Sequence, residues 1–429
     1  MLTHLNNLWH RLRSSLWLVP SVMCLAAFGL ALLADKLDRI YHVSGDGRWP
    51  KWLIYQGDLE GARTLLSSVA GSMITVAGTT FSITMVVLQL ASSQFGPRLL
   101  TNFMRDTGNQ FVLGTFVSTF LYCLLALGNG GGISGEPPAV SATLGLLLAV
   151  LSVFVFIYFI HHVSSTIRAE HVVQLVAFGS VNAIKRLTSP SEQDLDQDFS
   201  LDDALSGHEI HVRAHRSGYL QAIDEQGLSD TASNVDGVFK VHFRPGKFIT
   251  ANDCLATLFT SQAENKNSDD YSGCFIIGHC RTDEQDPEYG ISQLVEVAVR
   301  ALSPGINDPH TAISCIDWLN SGLKEIANQP LKSDYCCDEE GELRLVRCNS
   351  DFAGLLNTAY DQIRQNSIAS PAVAIHLAEA LADLYQVTES ETRRGSVHHQ
   401  AQLILTAAKQ SQWLESDLED LENRYQRLN

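Results

Sequence analysis

The chain has 429 residues, 45% hydrophobic and 18% charged, with a formal net charge of −17. Its mean hydropathy of +0.02 is that of an ordinary soluble protein, but the average hides two unlike halves: residues 1–165 hold nine Lys/Arg and seven Asp/Glu, residues 166–429 hold 21 and 40. That asymmetry places the halves in different solvents, and the acidic half excludes nucleic acid as a partner, because phosphate neutralisation needs a basic face.

A bilayer core is crossed by about 20 mostly apolar residues in a helix. Four stretches in the first half qualify, at about 16–34, 64–91, 111–128 and 140–163, so residues 1–165 are expected to form an α-helical polytopic domain whose partner is the lipid bilayer. The first stretch follows Arg11 and Arg13 and carries Ala31 and Ala34 where a cleavage site is mimicked. Three more spans come after it, so an uncleaved helix is expected rather than a signal peptide. Basic flanks set the orientation. With the N-terminus in the cytosol, Arg11, Arg13, Arg98, Arg105, Arg168, Lys185 and Arg186 are cytosolic and the 129–139 loop, without Lys or Arg, is outside. The 35–63 loop runs against this, with five Lys/Arg matched by five Asp/Glu. Both chain ends are expected in the cytosol. Trp9, Trp17, Trp49, Trp52 and Tyr55 lie where interfacial anchors lie, and Trp49-Pro50-Lys51-Trp52 is expected to run along the membrane surface.

Span two differs from the others. The chain is uncharged between Arg63 and Arg98, and polar residues fall at Ser68, Ser72, Thr75, Thr79, Ser82, Gln89 and Ser93. The steps are those of a heptad seam, broken only at Val86, with Gly71 and Gly78 beside it. A polar, small-residue stripe on a membrane helix turns toward protein or toward water. It is either a helix-packing seam, where small residues let backbones approach, or one wall of a pore. Span two holds no Asp, Glu, Lys or Arg, which removes the usual signature of a charge-coupled carrier. Span four ends in His161-His162, a tandem pair that points two ways on a helix and reads as interfacial polar caps rather than metal ligands.

The second half begins with a helical continuation at 166–185, followed by an acidic linker to 207 marked by Pro190, Asp194, Asp196 and Asp198. Residues 208–286 show short Val/Ile/Phe/Thr runs split by Gly, Asn and Asp, the pattern of a small β-sandwich or barrel. In Gly237–Phe243 the side chains of Phe239, Val241 and Phe243 alternate with Lys240 and His242, and Arg244-Pro245-Gly246 turns the chain. From 287 to 429 the chain is mainly helical, with a short strand at 342–348. The soluble half is thus expected to be an α+β body, β-rich first and helical after. Nine cysteines, with no C-x-x-C and an adjacent Cys336-Cys337 pair, read as free thiols in a reducing compartment.

Several motifs carry a family resemblance. Ala70-Gly-Ser-Met-Ile-Thr-Val-Ala-Gly78, Phe81-Ser-Ile-Thr84, Gln94-Phe-Gly-Pro-Arg98, Gly218-Tyr-Leu-Gln221, Arg281-Thr282 with Gln285-Asp286, and Ala301–Pro309 resemble the bacterial predicted-membrane-protein family named domain-of-unknown-function family 2254. The resemblance covers nearly the whole chain and its combination of motifs is specific. It implies a multi-pass protein of the bacterial plasma membrane, and it brings no reaction, substrate or cofactor.

Two regions stand out as sites. One is the span-two stripe. The other, in the soluble half, combines Arg281 and Asp286 with Asn307, Asp308 and His310, where charges, a tight turn and a helix N-terminus come together. The plain reading of Asn307-Asp308-Pro309 is a capped helix start with Pro at its first position, and an isolated Asp-x-His lacks the other ligands of a metal. Without H-E-x-x-H, G-x-S-x-G or a Walker-type loop, the sequence nominates no enzyme, no metal and no cofactor. Two functions compete: an oligomeric channel or transport-type protein with a cytosolic regulatory domain, or a non-catalytic scaffold or sensor whose soluble domain binds a partner or ligand. In the first, copies of the chain place their span-two stripes around one axis.

Overall fold

The computed structural model describes residues 17–44, 54–96, 106–129, 137–166, 169–186, 188, 204–261, 269–338 and 340–428. The stretch Trp49–Trp52, most of the acidic linker and the flanking Arg11, Arg13, Arg98, Arg105 and Arg168 lie outside them. The chain divides into two compact units, residues 1–171 and 172–429.

The first unit contains four helices: α1 Leu18–Ser44, α2 Leu59–Phe95, α3 Thr107–Asn129 and α4 Ala139–Thr166. All four are long and apolar enough to cross a membrane. α3 is central: half of its apolar window is buried against 22% for each of the others, and it packs on α1, α2 and α4. Small residues permit the close approach. Ala27, Ala31 and Ala34 of α1 and Leu66 and Ala70 of α2 meet Tyr122, Cys123 and Ala126 of α3 at one level. At a second level Met73 and Ala77 of α2 meet Val112 and Phe116 of α3 and Val155 and Phe159 of α4.

The polar groups at the two ends of this bundle are paired. Pro137 and Pro138 precede α4 and offer its N-terminus no side-chain acceptor. Asp38 of α1, itself buried, supplies one: its carboxylate accepts from Val140 N (2.7 Å), Ser141 N (3.0 Å) and Ser141 Oγ (2.5 Å). It is an N-cap delivered by another helix. Beside it, Tyr122 Oη donates to Ser141 O at 3.0 Å. At the opposite end of α4, His162 Nε2 lies 2.6 Å from Asp106 Oδ2 and stacks on Tyr158, while Asp106 Oδ1 accepts from Gly108 N as α3 starts. His161 is exposed. Only one member of the tandem pair is thus fixed, by a hydrogen bond to Asp106.

In the second unit, α5 Ala169–Arg186 leads into β1 His208–Arg213, β2 Gly218–Ile223, α6 Glu225–Asn234, β3 Gly237–Val241, β4 Phe248–Ile249, β5 Cys254–Thr260, α7 Asp269–Ser272 and β6 Phe275–Gly278. There follow α8 Pro287–Ala301, α9 Pro309–Ile326, β7 Tyr335–Cys337, β8 Leu343–Val346, and then α10 Phe352–Ser367, α11 Pro371–Val387, α12 Glu391–Lys409 and α13 Glu415–Tyr425. A five-stranded sheet, β1-β5-β3-β8-β7, and a three-stranded one, β4-β2-β6, share one core that includes Val212, Leu220, Ile223, Phe239, Leu258, Phe275 and Ile277. The soluble unit is therefore an α+β body with a two-sheet core.

Two details depart from the chain-order reading. The 208–286 stretch does not close on itself, because β8 pairs in parallel with β3 and brings β7 with it. Parallel pairing needs a long connection, and the chain between β3 and β8 runs through β4, β5, α7, β6, α8, α9 and β7. Residues 225–234 form a helix inside the β region: Asp224 caps it through Gly227 N, and Leu228 and Ala232, four apart, are buried in the sheet core. α5 belongs to this unit from Val172 onward, with Val173, Val176, Ala177 and Ile184 buried. α8 meets it at Gly290, where a Cβ would collide with the Ser180 backbone. All nine cysteines are free.

Candidate functional site

α2 positions the stripe. Its packing face consists of Ala62, Leu66, Ala70, Met73, Ala77, Thr80 and Ala91, all buried. Ser68, Ser72, Thr75, Thr79, Ser82 and Gln89 are all exposed. At about 100° per residue the two sets lie on nearly opposite sides of the helix. Among the described residues no helix of the same chain covers the stripe, and a Cβ at Gly71 or Gly78 would meet nothing within 4 Å. Among the described residues, the stripe is not a seam between helices of the first unit.

The chemistry of the stripe is graded. Ser72, Thr75 and Thr79 donate to main-chain carbonyls one turn back, at Ser68, Gly71 and Thr75, over 2.8, 2.8 and 3.0 Å. A back-bonded hydroxyl has its donor satisfied and keeps a lone pair outward. A primary amide cannot be answered within its own helix so simply, and Gln89 presents one on the same side. The stripe thus offers a row of uncharged oxygens ending in an amide.

The soluble candidates separate into two structures. Arg281 donates through Nε and Nη2 to Asp286 Oδ2, both at 2.7 Å, and its guanidinium lies 5.5 Å from the Tyr289 ring centroid. Burial pushes the Asp286 carboxyl up, and the Arg281 guanidinium opposes that shift. Gly246, at φ 90°, is pressed against the Asp286 carboxylate. Next to it Glu288 takes Arg244 at 2.5 Å and the Ser350 hydroxyl at 2.9 Å. Gln285 exchanges two bonds with the Ile223 main chain, at 2.9 and 3.0 Å. These groups tie the start of α8 to the sheets. The same loop forms one wall of a cleft of about 340 Å³, lined also by Asp224, Glu225, Pro245 and Lys332.

Asn307, Asp308 and His310 lie at the far end of α8. That helix is 15 residues long, so about 22 Å separate the two groups. Asn307 sits at φ 51°, and the Asp308 carboxylate is consumed by Thr311 N (3.2 Å) and Thr311 Oγ1 (2.5 Å) as the cap of α9. His310 is exposed. The five residues expected to act together form a buried ion pair and a helix cap, and they do not converge. Sequence reasoning missed Asp38, Arg244 and Glu288. The signal for Asp38 was indirect: a helix start after two prolines lacks an acceptor of its own.

Four apolar helices followed by an α+β body define a polytopic membrane protein with a large water-soluble domain. The chain belongs to the family of predicted membrane proteins DUF2254, which it matches over residues 13–383. It is 32% identical over 373 residues to uncharacterized proteins of Mycobacterium bovis and Mycobacterium tuberculosis H37Rv, covering 85% of this chain and 71% of theirs. No solved structure matches it.

Proposed function

We propose that the protein is a channel or transport-type protein of the bacterial inner membrane, in which copies of the chain assemble with their α2 stripes toward a common axis and the soluble unit regulates the path. The observation that carries this reading is the position of the stripe, opposite the face that α2 buries in its own bundle. Apolar side chains lose nothing against lipid; a polar row set there gains a partner only from another chain or from water. The four candidate spans among the described residues and the basic flanks support a reading with both ends in the cytosol. The net negative charge of the chain favours a cation over an anion as the transported species.

The test is ion flux in proteoliposomes, with Thr75→Leu, Thr79→Leu and Ser82→Leu. The expected outcome is cation flux in the wild type, reduced at least tenfold in the triple variant. Flux absent under all conditions, or unchanged by the substitutions, refutes it.

A second reading, a non-catalytic scaffold or sensor, is supported by the cleft between Glu225, Asp283 and Lys332. It predicts a specific ligand or partner for residues 189–429 and no flux.

A further inference from the structure

The first helix after the four spans carries an apolar face that neither reading uses. α5 begins at Ala169, three residues on from Thr166, where α4 ends. Its inner side, which includes Val172, Val173, Val176, Ala177 and Ile184, is buried in the soluble unit. Its outer side presents Gln174, Leu175, Phe178, Gly179, Asn182 and Lys185, all exposed. Leu175 and Phe178 leave 49% and 53% of their surface open. Three residues apart on a helix, they form one patch. The Trp318 ring of α9 extends it, with its centroid 5.5 Å from that of Phe178.

We propose that this face is a lipid contact, with Leu175, Phe178 and Trp318 seated in the headgroup boundary of the bilayer that α4 crosses. Reach is the first ground. From Thr166 to Ala169 the chain covers at most about 11 Å, and the nine helical steps on to Phe178 add about 14 Å. The patch is therefore held within about 25 Å of the end of a membrane-crossing helix, whichever way the soluble unit turns. The soluble unit is then held to the membrane at two points, the chain entering α5 and the patch on its outer side. A contact of this kind holds with or without a path along α2.

Charge and area also select lipid as the occupant. Residues 166–429 hold 40 Asp/Glu against 21 Lys/Arg, yet α5 has no carboxylate after Glu170 and ends in Lys185-Arg186. Two carboxylates of α9 lie near the face, and both have cations: Glu325 meets Lys185 at 3.4 Å, and Asp317 meets His376 at 2.6 Å. Leu, Phe and Trp beside Lys are the side chains that settle at a membrane–water boundary over anionic headgroups. Leu175 and Phe178 expose on the order of 200 Å² between them, against about 800 Å² per partner in a stable contact between two proteins. That area is too small to hold a second copy by itself. On a tether, docking to the bilayer is an intramolecular step, which a small area suffices to favour.

The test uses the full-length protein in nanodiscs of phosphatidylcholine and phosphatidylglycerol, with single nitroxide-labelled cysteines in a background without the native ones. Leu175→Cys and Phe178→Cys probe the patch, and Glu419→Cys, at an exposed position of the acidic α13, is the reference in water. Oxygen concentrates in the bilayer and a nickel chelate in water, so their collision rates with the label read its depth. Chelate collisions at 175 and 178 should be several-fold below those at 419, and oxygen collisions above them. A label at Asn182→Cys, on the same side but outside the patch, should be shielded too, and should become as open to the chelate as 419 when Leu175→Asp and Phe178→Asp are added. Labels at 175 and 178 as open to the chelate as 419 overturn the proposal, and so does a label at 182 indifferent to the two aspartates. Shielding at 178 accompanied by spin–spin broadening that dilution with unlabelled chain removes makes the occupant a second copy, and overturns it as well. Wild-type ellipticity in each variant confirms that the fold is retained.

Discussion

Replacing Asp38 by Ala removes the cap that α1 supplies to α4. The loss can be worked bond by bond. Ser141 is 4% exposed, so its N–H is left buried without an acceptor, at about 1–3 kcal/mol. Val140 is half-buried, and water takes over most of its bond. The Ser141 hydroxyl rotates to another acceptor and contributes little. With the general cost of about 0.5–2 kcal/mol for deleting an N-cap, Asp38→Ala should destabilise the bundle by about 2–4 kcal/mol. Asp38→Asn keeps one acceptor oxygen and should lose about half of that. The control is Asp35→Ala, which breaks an i,i+4 pair with the exposed Arg39 and should cost about 0.5 kcal/mol or less. Equilibrium unfolding in mixed detergent micelles, followed by far-UV circular dichroism, measures all three. Asp38→Ala within about 0.5 kcal/mol of wild type, or no different from Asp35→Ala, would falsify the inter-helix cap.

Three further expectations concern the soluble unit. Gly246→Ala forces an L side chain to φ 90° and into the buried carboxylate of Asp286; chemical unfolding should show a loss of more than about 2 kcal/mol, and a neutral result would mean that the turn is not built as described. Asp308→Ala removes only a helix cap, so it should cost about 1 kcal/mol and leave proteoliposome flux unchanged. A flux defect there would return residues 307–310 to the list of functional groups. His242 is held below its ordinary value of 6.5 by burial first and by Lys240 and His211 second. The folded state then binds fewer protons than the unfolded one just below that value, so stability should fall as pH drops from 6.5 toward the folded-state value. His242→Gln should flatten this part of the stability–pH curve, and an unchanged slope would assign the effect elsewhere.

What the sequence made legible followed from periodicity and length. Four uncharged runs, long enough for a bilayer, became α1–α4, and the alternation of Phe239 and Val241 with Lys240 became β3. Pairings between residues far apart in sequence were not legible. Asp38 sits among Asp35, Lys36 and Arg39, and local reading gives it the look of an ordinary charged helix end. Its importance depends on two prolines a hundred residues later. Strands β7 and β8 are three and four residues long, too short for a pattern to say that they extend a sheet begun at residue 208. The soluble site failed for a related reason. Nearness in sequence suggested that Arg281, Asp286 and His310 act together, whereas a rigid α8 between them keeps the two ends apart.

The stripe on α2 was legible in its spacing but not in its direction, and direction decides what it is for. A heptad of Ser and Thr fits a seam inside one bundle as well as a wall between chains, and the burial of Leu66, Ala70, Met73 and Ala77 on the other side is what favours the second. Length adds to that. α2 has 37 residues, about 55 Å, nearly twice the hydrocarbon thickness. Tilts of membrane helices average about 20° and absorb only a few ångströms of such an excess. Beyond Thr80 it continues for about 22 Å, with Phe81, Ile83, Met85, Val86 and Leu90 exposed at 39–60% and no charge before Arg98. A helix that carries no charge between Arg63 and its end, with Gln89 continuing the polar row on the side away from the buried Ala91, is stable in a membrane protein when other protein covers that side. In the proposed assembly that protein is the α2 of neighbouring copies, and the experiment that separates this from coverage by lipid is cross-linking. Single cysteines at Ser82 and at Gln89, in a background without the native cysteines, should cross-link between copies in detergent, whereas one at Ile74, on another side of α2, should not. Monomers at all three positions would leave the stripe facing lipid and remove the ground for a path along it.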